Sequence, residues 1–61
     1  MSSELRKLSA ELRRMQRYVY AIDPVGKEHR IVQARKRRDG TLTGLCLATG
    51  HWIIIRRWEV R

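Results

Sequence analysis

The chain has 61 residues, with 14 Lys or Arg against 6 Asp or Glu, so its formal net charge is +8. A chain of this length forms one domain at most, here residues 1–61, and a single small core supplies only about 3–5 kcal/mol, which excludes most enzyme architectures. Charge at this density repels itself in the compact state, and an anionic partner would offset the repulsion. Nucleic acid is the first expectation.

Cysteine and histidine are too scarce for the usual stabilising or catalytic sites. Cys46 is the one cysteine, and His29 and His51 are the two histidines. They exclude an internal disulfide and a closed zinc site, and we expect no metal, no cofactor and no carboxylate placed to orient either imidazole. The sequence therefore predicts a protein that is not an enzyme.

The apolar runs are short. The longest is 52–55, far below the roughly 20 residues that a spanning helix needs, and the first twenty residues mix leucine with charged side chains. We therefore expect no membrane partner and a cytoplasmic location.

An amphipathic helix is predicted over about 3–17. Leu5, Leu8, Leu12 and Met15 follow a 3-4-3 spacing that places them on one stripe. The polar side of this helix is basic near its end, where the helix dipole favours cations, and its residues Arg13, Arg14 and Arg17 form a secondary basic face.

Four strands are predicted after the helix, over about 18–23, 29–38, 41–48 and 51–60. The first is rich in β-branched and aromatic residues, and turn residues separate it from the second. Asp39–Gly40 is a strong signal for a two-residue hairpin loop, and Thr49–Gly50 is a weaker one. The prediction is an α+β fold, with the helix packed on a curved four-stranded antiparallel meander.

Two-residue loops would place Arg38 opposite Thr41 and Leu47 opposite Trp52. One face of the sheet would then carry an apolar cluster of Val32, Ala34, Leu45, Leu47, Trp52 and Ile54, with Trp52 in the core. The other face would carry Ile31, Leu42, Cys46, Ile53 and Ile55. Because one helix covers one face only, we expect the sheet to curl into a small barrel, resembling an SH3-like or Sm-like barrel in outline, or a second copy to cover the other face.

The predicted functional site is a basic hairpin tip. Four consecutive cations end the second strand, and the last strand was expected to bring two further arginines and a tryptophan beside them. Trp58 is predicted to stack on a base or to close the core. Tyr18 and Tyr20 alternate on the first strand and could form a platform, but we expect them to pack against Leu12 and Met15. The predicted phosphate-contacting residues are Arg35, Lys36, Arg37, Arg38, Arg56 and Arg57.

Two functions fit these features. The first is a small, regulatory nucleic-acid-binding protein that contacts the phosphates of DNA or RNA through the hairpin. The alternative is a small inhibitor or accessory subunit that binds an acidic surface of a larger protein, and a homo-oligomer is compatible with both.

Overall fold

The computed structural model describes residues 3–14 and 16–61, and it consists of one helix followed by five strands. The fold is therefore α+β, with an antiparallel sheet as predicted but with five strands in place of four. The helix in this part of the chain is too short and too polar to cross a membrane. The elements are α1 (Ser3–Arg14), β1 (Val19–Ile22), β2 (Glu28–Lys36), β3 (Leu42–Cys46), β4 (Trp52–Ile54) and β5 (Arg57–Val60).

Helix α1 packs on the sheet through its leucine stripe. Leu8 is completely buried, and Leu12 is half-buried against the same core. Met15, the last residue of the predicted stripe, lies outside the described residues. The helix ends at Arg14, earlier than the predicted residue 17. The backbone of Tyr18, directly before β1, exchanges hydrogen bonds with Arg61 at 3.0 and 2.8 Å.

The sheet has the strand order β4-β3-β2-β1-β5, so its last strand lies beside its first. The predicted strand 51–60 is divided, because the amide of Ile55 donates to Leu42 on one side and the amide of Arg56 donates to Ile22 on the other, each at 2.9 Å. The chain therefore crosses from β3 to β1 at these two residues. Strands β4 and β5 remain the two edges, and the sheet is not closed into a barrel.

The first hairpin has a three-residue loop in place of the predicted two. Arg37 is opposite Thr41 through a 2.8 Å hydrogen bond, and Gly40 has a φ of +93°, which favours glycine. The added loop residue shifts the register by one, so that Arg35 pairs with Thr43 and Ala34 pairs with Gly44. A shift of one residue exchanges the two faces of a strand relative to its partner. A bulge at residue 32 adds a second shift of one residue, so that Ile31 and Cys46 form a pair and lie on the same face, as predicted.

The second hairpin has a four-residue loop, 47–50. Leu45 therefore pairs with Trp52, two positions away from the predicted register. A shift of two residues leaves the faces of β4 unchanged.

One face of the sheet packs against α1 and forms the core. Its buried residues include Val19, Ala21, Ile31, Cys46 and Ile55, and the half-buried residues packed against them include Ala34, Leu42 and Ile53. The opposite face, which we call the open face, has no covering element among the described residues. The expectation that Trp52 lies in the core was wrong, since the open face carries the exposed residues Tyr18, Val32, Leu47, Trp52 and Ile54 and the half-buried Tyr20.

Candidate nucleic-acid interface

The end of β2 and the following loop form a basic hairpin, defined as Arg35, Lys36, Arg37 and Arg38. All four side chains are exposed. The loop is held by Asp39, whose carboxylate accepts the amide hydrogen of Thr41 at 2.9 Å. Hydrogen bonds from the side chain and then the amide of Thr41 lower the pKa of Asp39, with a smaller contribution from the charge of Arg37. The bond between Asp39 and Thr41 therefore fixes the turn beside which the four basic side chains are exposed.

Arg56 and Arg57 lie near the base of the basic hairpin. Ile55, directly before them, is hydrogen-bonded to Leu42 at the start of β3, and both arginine side chains are exposed. An open cleft between α1, β3 and β5 is lined by Glu4, Leu42, Ile55, Arg56, Arg57 and Trp58. The structure therefore brings the two predicted arginines to the hairpin end of the sheet.

Trp58 occupies a different position from the predicted one. It pairs with Ala21 on β1 and not with β3, because the chain crosses from β3 to β1 between Ile55 and Arg56, before β5 begins. The ring is half-buried against the core, and its indole N–H donates to Oε2 of Glu4 at 2.8 Å. Trp58 thus joins the last strand to the helix at one wall of the cleft.

The secondary basic face consists of Arg13, Arg14 and Arg17, in and just after the last turn of the helix. Arg13 and Arg14 are exposed in the last turn, and Arg14 forms an ion pair with Glu11 at 3.5 Å. Arg17 is also exposed and lines a shallow pocket together with Tyr18 and Arg30. This arginine is therefore near Tyr18, directly before β1.

Arginine and aromatic side chains stack on the sheet, which the sequence analysis did not predict. The guanidinium carbon of Arg30 lies 3.8 Å from the ring centre of Tyr18, and that of Arg35 lies 4.9 Å from Trp52. Arg61 lies 4.6 Å from the ring of Tyr20. The alternation of Tyr18 and Tyr20 was the available signal. Tyr18 is 54% exposed and lines a shallow pocket together with Leu12 of the helix.

A second cluster joins Asp23, His29 and Cys46. Oδ2 of Asp23 is 2.9 Å from Nε2 of His29, and Nδ1 of His29 is 3.7 Å from the sulfur of Cys46. The expectation that no carboxylate orients His29 was therefore wrong. Asp23 and His29 were brought together by the tight turn 23–27, in which Oδ1 of Asp23 accepts the amide hydrogen of Lys27 at 2.8 Å.

Hydrogen bonds shift the acidity of all three groups. The bond to Asp23 raises the pKa of His29, with a smaller contribution from Cys46, and the bond to His29 lowers the pKa of Asp23. Hydrogen bonds from the hydroxyl and amide of Thr49 lower the pKa of the Cys46 thiol to about 7.

This order of groups is that of a nucleophile, base and orienting acid, but Cys46 is only 2% exposed. The described residues contain no group of three or more side chains arranged to hold a metal ion. The observed contacts tie β2, β3 and the turn 23–27 together.

Comparison with protein families, with curated proteins and with solved structures finds no match for this chain. The function is therefore inferred from the residues of the chain itself.

Proposed function

We propose that this chain is a small nucleic-acid-binding protein that contacts phosphates through the basic hairpin and the adjacent Arg56 and Arg57. The observation that carries the proposal is that none of the six carboxylate side chains neutralises these cations by an ion pair in the described part of the chain. Each carboxylate has another partner. Guanidinium groups in this state suit phosphate oxygens, which they bind through paired hydrogen bonds.

The partners of the six carboxylates can be named individually. Glu28 and Glu59 bind Arg61, and Glu11 binds Arg14. Asp23 binds His29, while Glu4 accepts from Trp58 and Asp39 accepts from the backbone of Thr41. The positive charge of the hairpin is therefore left for an external anion. Binding would also release counterions from the nucleic acid, which adds affinity without sequence preference.

The proposal is tested by fluorescence anisotropy with a labelled duplex and a labelled single strand at about 50 and 200 mM salt. We expect the affinity to fall by about tenfold or more between these two salt concentrations, because salt opposes the release of counterions from the phosphates. The double variant Arg35→Glu/Arg37→Glu should lose most of this affinity.

Arg13→Glu/Arg14→Glu is the matched control, since it changes the net charge from +8 to +4, as the hairpin variant does. It should retain most of the affinity if the hairpin is the contact surface. Equal losses in both variants would show that bulk charge alone is responsible. Absence of binding of either strand form at about 50 mM salt would contradict the proposal.

A second candidate is an inhibitor or accessory subunit that binds an acidic protein. The exposed apolar residues of the open face, Val32, Leu47, Trp52 and Ile54, favour this candidate, because monomeric proteins seldom expose a continuous apolar patch without a partner. If the chain binds no nucleic acid, binding to an acidic protein becomes the favoured function. Light scattering would show whether the partner is a second copy of this chain.

We also propose the likeness to an SH3-like or Sm-like barrel and the cytoplasmic location. The return of β5 to β1 supports the likeness, since a closed sheet would add only a contact between β4 and β5. Protection of the β4 amides from hydrogen exchange would support closure in solution.

A further inference from the structure

The open face carries exposed aromatic rings, whose limited burial contributes little to the stability of the fold. Tyr18 is 54% exposed and Trp52 is 39% exposed. Trp52 pairs with Leu45 on β3, which pairs with Gln33 on β2. Strand β2 in turn pairs with β1, which begins directly after Tyr18. The rings and their apolar neighbours therefore form one surface across β1, β2, β3 and β4.

Each exposed ring has a guanidinium stacked on it. Arg30 lies on Tyr18 and Arg35 lies on Trp52, so each ring has a cation within 5 Å of its centre. A nucleotide has the complementary pair of features, namely a flat base and a phosphate attached to it through the sugar. A ring can stack with the base while the neighbouring guanidinium binds the phosphate.

The basic hairpin and the open face are continuous through one residue. Arg35 belongs to the hairpin by sequence and contacts Trp52 on the open face. A strand held by its phosphates on the hairpin would therefore pass over Trp52. This position needs an unpaired base, because the bases of a duplex are stacked on each other and cannot lie on a protein ring.

We propose that the open face binds single-stranded nucleic acid, with bases stacked on Trp52 and Tyr18. This inference depends on the proposed function, because the hairpin supplies the phosphate contacts. Charge complementarity supports this occupant, since Arg30 and Arg35 form no ion pair with a carboxylate among the described residues.

The test measures the anisotropy of labelled oligothymidylate and oligouridylate of about 15 nucleotides, and of a duplex of the same length. We expect the single strands to bind more tightly than the duplex. Trp52→Ala should weaken single-strand binding about tenfold and duplex binding less than about twofold, and Trp52→Phe should retain most of the affinity because it keeps a ring. The two oligonucleotides distinguish DNA from RNA.

Ile54→Ala is the matched control, because Ile54 is also exposed on β4 but has no ring. It should leave single-strand binding nearly unchanged. A second measurement uses the fluorescence of Trp52 in a Trp58→Phe background, where oligothymidylate should quench the emission. Circular dichroism confirms that each variant is folded.

The outcomes separate the two proposals. If Trp52→Ala binds single strands normally and Arg35→Glu/Arg37→Glu does not, the stacking proposal is wrong and the hairpin function stands. If no oligonucleotide binds to the native chain, both are wrong. If Trp52→Ala changes only the mass measured by light scattering, the open face is an interface between two copies and the stacking proposal is overturned.

Discussion

At the scale of single residues, the bond between Asp23 and His29 links the stability of the fold to pH. The folded pKa of His29 is raised above 6.5, so its contribution is fully present below that value and is lost as pH rises through the folded pKa. Asp23 has a lowered pKa, so its contribution is present above 3.8 and is lost as pH falls through its folded pKa. The two contributions overlap at weakly acidic pH.

Asp23→Asn should lower the pKa of His29, because it replaces the carboxylate whose hydrogen bond contributes most to raising that pKa with a neutral amide. It should also reduce the loss of thermal stability as pH rises above 6.5. This variant and its control are compared in a Cys46→Ala background, because the thiol also contributes to the raised pKa of His29. NMR titration measures the pKa of His29, and thermal unfolding as a function of pH measures the change in stability. Asp39→Asn serves as the control, since Asp39 lies in the loop 38–40, away from His29, and should leave the His29 titration unchanged. An unchanged His29 titration in Asp23→Asn would contradict the assignment.

Gly44 is required for close packing between β3 and the core. A Cβ at this position would lie 2.9 Å from Cδ1 of Ile55 and 3.0 Å from two carbons of Ile31. Gly44→Ala should therefore lower the free energy of unfolding by about 1–3 kcal/mol in a urea titration.

Ile55→Val removes the nearest carbon and provides the control for this packing. The double variant Gly44→Ala/Ile55→Val should lose less stability than the sum of its single variants, since part of the overlap is relieved. Additive losses would show that the overlap with Ile55 is not the cause.

Some residue roles could be predicted from the sequence and others could not. The basic hairpin is a run in the sequence, so its exposure required no tertiary information. The roles of Trp52 and Trp58 depend on which strand each joins, and the prediction placed Trp52 in the core and Trp58 beside β3. The contact between Asp23 and His29 was missed because it depends on how a five-residue turn folds back.

At the scale of elements, α1 is fixed to the sheet mainly by Leu8. This side chain is completely buried, whereas its neighbour Lys7 is exposed. A helix of 12 residues is marginal alone in water, so it depends on this packing.

Leu8→Ala should cost about 2–5 kcal/mol, which approaches the whole stability of a domain of this size. Thermal unfolding followed by circular dichroism should show a broad transition at a much lower temperature. Lys7→Ala should leave the transition nearly unchanged. Similar curves for the two variants would mean that the helix does not depend on Leu8.

The boundaries of the elements were easier to predict than their registers. The order of one helix followed by antiparallel strands could be predicted, because periodicity and strand propensity act locally. The loop at 38–40 was missed, since Asp39–Gly40 fits both a two-residue and a three-residue loop. The bulge at residue 32 has no glycine or proline to mark it.

At the scale of the whole molecule, the net charge of +8 opposes the compact state. Of the 14 basic residues, Arg14 and Arg61 are those with a carboxylate partner among the described residues, so repulsion between the others is largely uncompensated. Salt should weaken this repulsion as the screening length falls from about 30 Å to about 8 Å.

The unfolding temperature should therefore rise when salt increases from about 10 to 150 mM. Differential scanning fluorimetry in sodium chloride measures the change. Arg13→Glu/Arg14→Glu, with a net charge of +4, should show a smaller rise. A falling unfolding temperature would mean that ion pairs such as Arg61 with Glu28 dominate the electrostatics.

The strand order shows where sequence reasoning was insufficient. The crossing at Ile55 and Arg56 has neither glycine nor proline, so the sequence 51–60 has the pattern of one continuous strand. Only long-range pairing divides it, because β1 offers an unpaired edge to Arg57–Val60. The apolar grouping of Ile31, Leu42, Cys46, Ile53 and Ile55 was nevertheless correct, since all five lie in or against the core.

The pairing of β5 with β1 has a consequence for the order of folding. Strands β1 to β4 are joined by short loops and can pair as soon as they are synthesised, whereas β5 must close a long loop, since Val60 pairs with Val19. Until that closure, the Val19–Ile22 edge has unpaired backbone groups on an apolar, β-prone segment. Closure by β5 is therefore the step that protects the Val19–Ile22 edge of a newly made chain from pairing with another chain.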